Sequence, residues 1–197
     1  MISTFKYSSN DRDARIQQYL AIAMGATKDE RYTKTLIDAM NGADEGVVQA
    51  CAFALGNIGK YDAIDPLKGL LDNPEPQIRL HAVIALGKIG SPSTAPDLRK
   101  MLSDPEPNVR WDASIALAKQ KDSSGRSILI DLLDRKYLNS FPNIDEKEKV
   151  QVILVAISVS HFIQNQELKT VLSNIRDNDD NLKIREAARI ALDKFVI

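Results

Sequence analysis

The chain has 197 residues, 44% of them hydrophobic and 27% charged, enough to bury a sizeable core and ordinary for a folded globular protein. Lysine and arginine (26) nearly balance aspartate and glutamate (27), so the net charge of -1 offers no global attraction to nucleic acid or to an anionic membrane. The one cysteine, Cys51, excludes an intrachain disulfide and any cysteine-rich zinc site, and the cytoplasm is the expected compartment.

The N-terminal stretch MISTFKYSSNDRDAR has no apolar core behind a basic start and does not read as an export signal. From Arg12 the chain repeats with a period of 31 residues. NPEPQIRLHAVIALGKIG at 73–90 returns as DPEPNVRWDASIALAKQK from Asp104, with Pro74, Arg79, Ala85 and Leu86 answered by Pro105, Arg110, Ala116 and Leu117. One step back, Val47, Ala54, Leu55, Gly56, Ile58 and Gly59 fall on Ile78, Ala85, Leu86, Gly87, Ile89 and Gly90. A further step puts Ile16, Ala23, Met24 and Gly25 in the same columns. Four units result, at about 12–42, 43–73, 74–104 and 105–135.

Within a unit the apolar residues recur at helical spacing, first Ile78, Ala82, Ala85, Leu86 and Ile89, then Leu98, Met101 and Leu102, so each unit is a pair of helices. Gly59 and Gly90 stand where the first helix must end in a left-handed backbone, and Ser91-Pro92 offers a cap and a preset first turn for the second. Pro66 and Pro96 lie near a second helix's start, where a missing N–H costs least. Small residues at Ala82, Ala85 and Gly87 let helices approach closely. One such hairpin cannot bury its own apolar face, so the units stack into a solenoid.

After Asp134 the rhythm breaks, and RKYLNSFPNIDEKEK inserts about ten residues, near 136–145, before a fifth pair at about 146–177. The first helix of that pair, KVQVILVAISVSHFI, is apolar nearly all round. Either Tyr137, Leu138, Phe141 and Ile144 of the insert fold over it, or it forms a homodimer or partner interface around Val150–Ile163. Its longest apolar run, Val152 to Ile157, is too short to span a bilayer. The last segment repeats the first-helix pattern, with Ile184, Arg185, Ala188, Ala191 and Leu192 in register, and forms a capping helix at about 181–196. The expected fold is all-α: one domain, a right-handed α-solenoid of five helix pairs with a terminal capping helix.

The segments DPEPNVRWDASIALA and ILIDLLD, with LGKIG and LGNIG closing first helices, resemble the short HEAT-like repeat of phycobilin lyase subunits and of many bacterial proteins of unrelated role. The resemblance covers at least residues 12–135. It implies a helix-pair scaffold and leaves function to the sites carried on it. Three functions follow as expectations: a non-catalytic scaffold for protein–protein interaction; an auxiliary subunit of a phycobilin lyase, binding a linear tetrapyrrole and a phycobiliprotein; and a DNA-repair solenoid, disfavoured by the charge balance and the sparse aromatics.

No catalytic, cofactor or metal site is expected. HEAT-type deoxyhypusine hydroxylases carry repeated His-Glu pairs for iron, whereas here His81 precedes Ala82 and His161 precedes Phe162, and these are the only two histidines. Cys51 shares a column with Ala82 and Ala113 and reads as a small core residue. The run DNDDN at 177–181 fails as a calcium loop, because Leu182 and Ala188 stand where an EF-hand needs Gly and Glu; it reads as an acidic cap.

Arg79, Arg110 and Arg185 share a column and are expected to pair with an acidic turn, at Asp72, Asp104 or Asp179. The next column reads Gln18, Gln49, Leu80, Trp111, and Leu80 with Trp111 forms either an aromatic contact patch or part of the packing. The candidate partner-binding residues are therefore Leu80, Trp111, Gln49 and the neighbouring His81, together with Lys68, Arg99 and Lys100 on the second helices.

Overall fold

The computed structural model describes residues 11–41 and 44–196, and every regular element among them is helical. The helices fall into two compact units, Met1–Ala116 and Leu117–Ile197.

In the first unit, long helices α1 (Asp11–Thr27), α3 (Glu45–Ile58), α5 (Pro76–Ile89) and the start of α7 (Pro107–Lys119) alternate with the short helices α2 (Thr33–Met40), α4 (Ile64–Lys68) and α6 (Ala95–Met101). A side-chain oxygen fixes the turn into each repeat: Asp44 accepts from Gly46 N, Asn73 from Glu75 N and Asp104 from Glu106 N, each at 2.9 Å. Pro76 and Pro107 open α5 and α7, where a helix has no use for the missing N–H. At the other end Gly59 (φ +80°) and Gly90 (φ +69°) take the left-handed conformation that releases the chain into the second helix.

The entry to the second helices differs from expectation. Ser91 does not cap with its side chain; its hydroxyl lies 2.9 Å from that of Ser93. Instead 3-10 turns at Glu30–Tyr32, Tyr61–Ala63 and Pro92–Thr94 lead into α2, α4 and α6. Their tight i to i−3 bonds, such as Thr94 N to Ser91 O at 3.0 Å, occupy carbonyls that a longer loop would leave unpaired.

Helix α3 packs against α1 on one side and α5 on the other. The repeated apolar columns form the buried interior, with Val47, Ile78 and Val109 in one row and Met24, Leu55 and Leu86 in another. The spacing between first helices is set by glycine against alanine. A Cβ at Gly25 would lie 2.5 Å from Ala54 Cα, one at Gly56 2.7 Å from Ala85 Cα, and one at Gly87 2.7 Å from Ala116 Cβ. No side chain fits there, so the helix backbones touch.

The second unit holds the rest of α7, then α8 (Arg126–Leu132), α9 (Arg135–Asn139), α10 (Glu146–Ser160), α11 (Gln166–Asn178) and α12 (Leu182–Leu192). Part of the inserted segment is helical: α9 lies against α8, buries Leu138 and sets the Tyr137 ring edge-on to Phe141 at 5.2 Å. A capping box starts α10, with Asp145 accepting from Glu148 N at 2.7 Å and Glu148 from Asp145 N at 2.9 Å. Helix α10 packs against α8 and α12 and buries Ile153, Ala156, Ile157 and Val159. Its remaining large apolar residues, Val150, Val152, Leu154 and Val155, are half-buried. Helices α8 and α12 thus cover part of this apolar helix, and α9 of the inserted segment is bonded to its start through Lys149 to Asn139 at 2.8 Å.

Gly56→Ala is expected to lower unfolding free energy by about 1–3 kcal/mol, because the added methyl must push two backbones apart. Gly69→Ala, whose Cβ would meet nothing closer than Pro66 O at 3.4 Å, serves as the comparison and is expected within about 0.5 kcal/mol of wild type in the same urea titration.

Candidate functional site

The arginine column resolves into two kinds of contact. Arg79 donates through Nε and Nη2 to the two oxygens of Asp104 at 2.7 and 2.8 Å, a bidentate pair joining one repeat to the turn of the next. Its Nη1 donates to Asn73 O and Pro74 O at 2.9 and 3.0 Å, so the guanidinium also holds its own turn. The side chains of the pair are only 10% and 4% exposed. Burial raises the Asp104 pKa, but the Arg79 hydrogen bonds, the Glu106 N–H and the Arg79 charge outweigh it and hold the carboxyl below its ordinary value. Asp72, the other acid expected nearby, is exposed.

Arg110 repeats half of this arrangement, with Nη1 donating to Asp104 O and Pro105 O at 2.7 and 2.9 Å. In the second unit the pairing arginine is one the sequence reading missed. Arg135 reaches Asp179 through Nε and Nη2, both at 3.0 Å, and Glu146 through Nη1 at 2.7 Å. Asp179 also accepts from Asn181 N at 2.8 Å, while Asn181 itself caps α12 through Lys183 N at 2.9 Å. The DNDDN run therefore supplies one bridging acid and one amide cap. Arg135 was hidden because it falls one 31-residue step after Asp104, in the acid's column and not the arginine's.

The candidate contact residues separate by exposure. Trp111 is buried, 5% exposed, so its ring is packing and not a free anchor. Leu80, Gln49 and His81 are half-buried, and His81 Nδ1 donates to Gln77 O one turn back at 2.7 Å. On the second helices, Lys68 and Lys100 both reach Asp97 at 3.1 Å, and Arg99 is exposed beside them. Much of that face's charge is thus balanced within the chain.

A column that sequence reasoning passed over lies one helical turn from Leu80. Ile22, Phe53, Ile84 and Ile115 recur at the 31-residue step on α1, α3, α5 and α7. Ile22 is 44% and Phe53 37% exposed, and Ile84 and Ile115 are half-buried. Lys88 lies over the Phe53 ring at 4.3 Å and bonds Asn57 Oδ1 at 2.8 Å, which ties α5 to α3 beside the stripe. The signal that finds this column is the same period that found the core.

Each unit carries an open groove. The first, of 390 Å³, includes Arg31, Thr33, Lys34 and Lys60; the second, of 580 Å³, includes Glu146, Val150, Leu182 and Lys183. Neither is lined by a histidine or cysteine. Among the described residues no group of three or more His, Cys, Asp or Glu side chains could hold a metal ion, and no helix is long and apolar enough to cross a membrane.

A family model described as HEAT repeats matches residues 4–78 and 67–138, more than half of the chain. The chain belongs to the HEAT-repeat family. Its fold class is the all-α solenoid of HEAT helix pairs. No curated protein matches it in sequence. Among solved structures it is similar to a designed armadillo repeat protein in complex with the peptide (KR)4, at 19% identity and a TM-score of 0.60, covering 98% of this chain and 97% of that one. A second designed armadillo repeat protein gives 18%, 0.58, 98% and 97%. The CpcE–CpcF complex of phycocyanin lyase from Nostoc matches at 14% and 0.46, over 99% and 93% of the two chains.

Replacing Asp104 by Asn leaves the buried Arg79 charge unmatched and is expected to cost about 3 kcal/mol at neutral pH. Because the folded pKa of Asp104 lies below 3.8, this stability is fully present above that value and is lost as pH falls through the lower folded one. The gap between wild type and variant in urea midpoint should therefore be constant from pH 7 to about 5 and narrow below pH 4. Burial pushes the Cys51 thiol up to about 12, so it should resist a thiol reagent at pH 8 in the folded protein and react once denatured.

Proposed function

We propose that the chain is a non-catalytic scaffold that binds another protein through the outer stripe of its first helices. The observation that carries this reading is the alignment of Ile22, Phe53 and Ile84, with Leu80 and Gln49 beside them, in register on three neighbouring helices. Scattered exposed apolar residues are normal on any protein; a column of them at the repeat period makes one continuous patch. Fixed backbone spacing at the glycine–alanine contacts presents that patch with little conformational freedom to lose on binding. A binding role is supported by the designed armadillo repeat protein of similar fold that is in complex with the peptide (KR)4.

The test is affinity capture from the native lysate with wild type, with Phe53→Glu/Ile84→Glu, and with Arg99→Glu/Lys100→Glu. The stripe variant is expected to lose a specific protein by about tenfold or more, since two buried charges cannot be desolvated cheaply, while the second-helix variant keeps it. Circular dichroism and thermal midpoint must be unchanged in both. Retention by the stripe variant with loss from the second-helix variant would move the contact to the other face and sink this assignment.

A further inference from the structure

Arg79 and Arg110 are held alike and both charges act on the Asp104 carboxylate, but only Arg79 is hydrogen-bonded to it. In both, Nη1 donates to the carbonyls five and six residues back, at 2.7 to 3.0 Å, which fixes the guanidinium on its own turn. In Arg79 that leaves the Nε–Nη2 edge facing outward from the turn, and the Asp104 carboxylate fills it with two bonds. In the sequence the residue one period after Asp104 is Arg135, so the register that gives Arg79 its acid holds no acid for Arg110. Among the described residues the only hydrogen bonds of Arg110 are those to its own turn, and the side chain is half-buried.

We infer that the Nε–Nη2 edge of Arg110 is a preorganised binding site for a carboxylate, filled by an aspartate or glutamate side chain of a bound protein. The ligand class follows from the copy: the same edge one repeat earlier holds an aspartate side chain in a planar two-bond fit. Two bonds to its own turn already immobilise the Arg110 fork, so binding an acid there costs little rotamer entropy. The site rests on the scaffold reading only for the source of the carboxylate.

Acetate, the small equivalent of an aspartate side chain, tests the site without any partner. Arginine Nε–H resonances are followed as acetate replaces chloride at constant ionic strength, and Arg110 is assigned by its loss in Arg110→Lys. Arg110 Nε–H is expected to shift saturably while Arg79 Nε–H stays still, because Asp104 already occupies that edge; in Asp104→Asn the Arg79 signal should begin to respond. A flat Arg110 response overturns the proposal. So does a change in the Arg110 signal on Asp134→Asn, since that acid, one residue before Arg135 in the sequence, would then be filling the edge from within the chain. Because no partner protein is present, a positive titration stands even if the capture experiment on the stripe fails, and the reverse holds too.

Discussion

Backbone contact between successive first helices is the constraint on which the rest depends. Gly25, Gly56 and Gly87 each face an alanine of the next repeat at a distance that excludes even a methyl group. That contact brings α1, α3 and α5 close enough for their apolar columns to close into one interior, and it fixes the step at which every other feature recurs. Neighbouring helices held this near gain dispersion contacts along their length, whereas a single bulky residue in the column would open a gap that nothing nearby could refill. Each helix pair is too small to bury its own face, so stability is made between pairs.

The polar ladder is secondary to that contact but gives the stack its register. Each turn needs its carbonyls satisfied, and Arg79 does this for its own turn while binding the acid of the next. A half-solvated ion pair would add little; this one is buried and held by four hydrogen bonds from the guanidinium, so its loss is costly even though its formation adds modestly. In the second unit Arg135, from a different column, makes only the acid half of this arrangement, spanning from Asp179 to Glu146.

The period, the helix pairs, the glycine ends at Gly59 and Gly90 and the core columns were legible in the sequence because each rests on a residue type that repeats in register. The 3-10 entries to the second helices were not, since Ser91-Pro92 is compatible with either a side-chain cap or a tight turn and local sequence does not choose between them. The Arg79–Asp104 pair was among the partners expected, while Arg135 escaped because it breaks the column it occupies. At the site, Trp111 fitted contact and packing equally from sequence, because a large ring beside an arginine column is as useful to one as to the other, and its burial places it with the packing. The Ile22–Phe53–Ile84 stripe is visible in the same columns once exposure shows which of them point outward.

In a repeat protein the regular positions are occupied by the needs of stacking, so specificity has to come from places where the repeat departs from its own rule. The apolar outer column departs by placing isoleucine and phenylalanine where a solvent-facing helix needs polar residues. Arg110 departs by keeping the fork of the ladder without its acid. On the proposed reading the first would supply area and the second direction, since a carboxylate held by two parallel bonds has a fixed orientation that contact with a flat apolar patch lacks. The same logic explains why the second-helix face is a poorer candidate. There Lys68 and Lys100 converge on Asp97, and a partner would first have to displace charges that already satisfy one another.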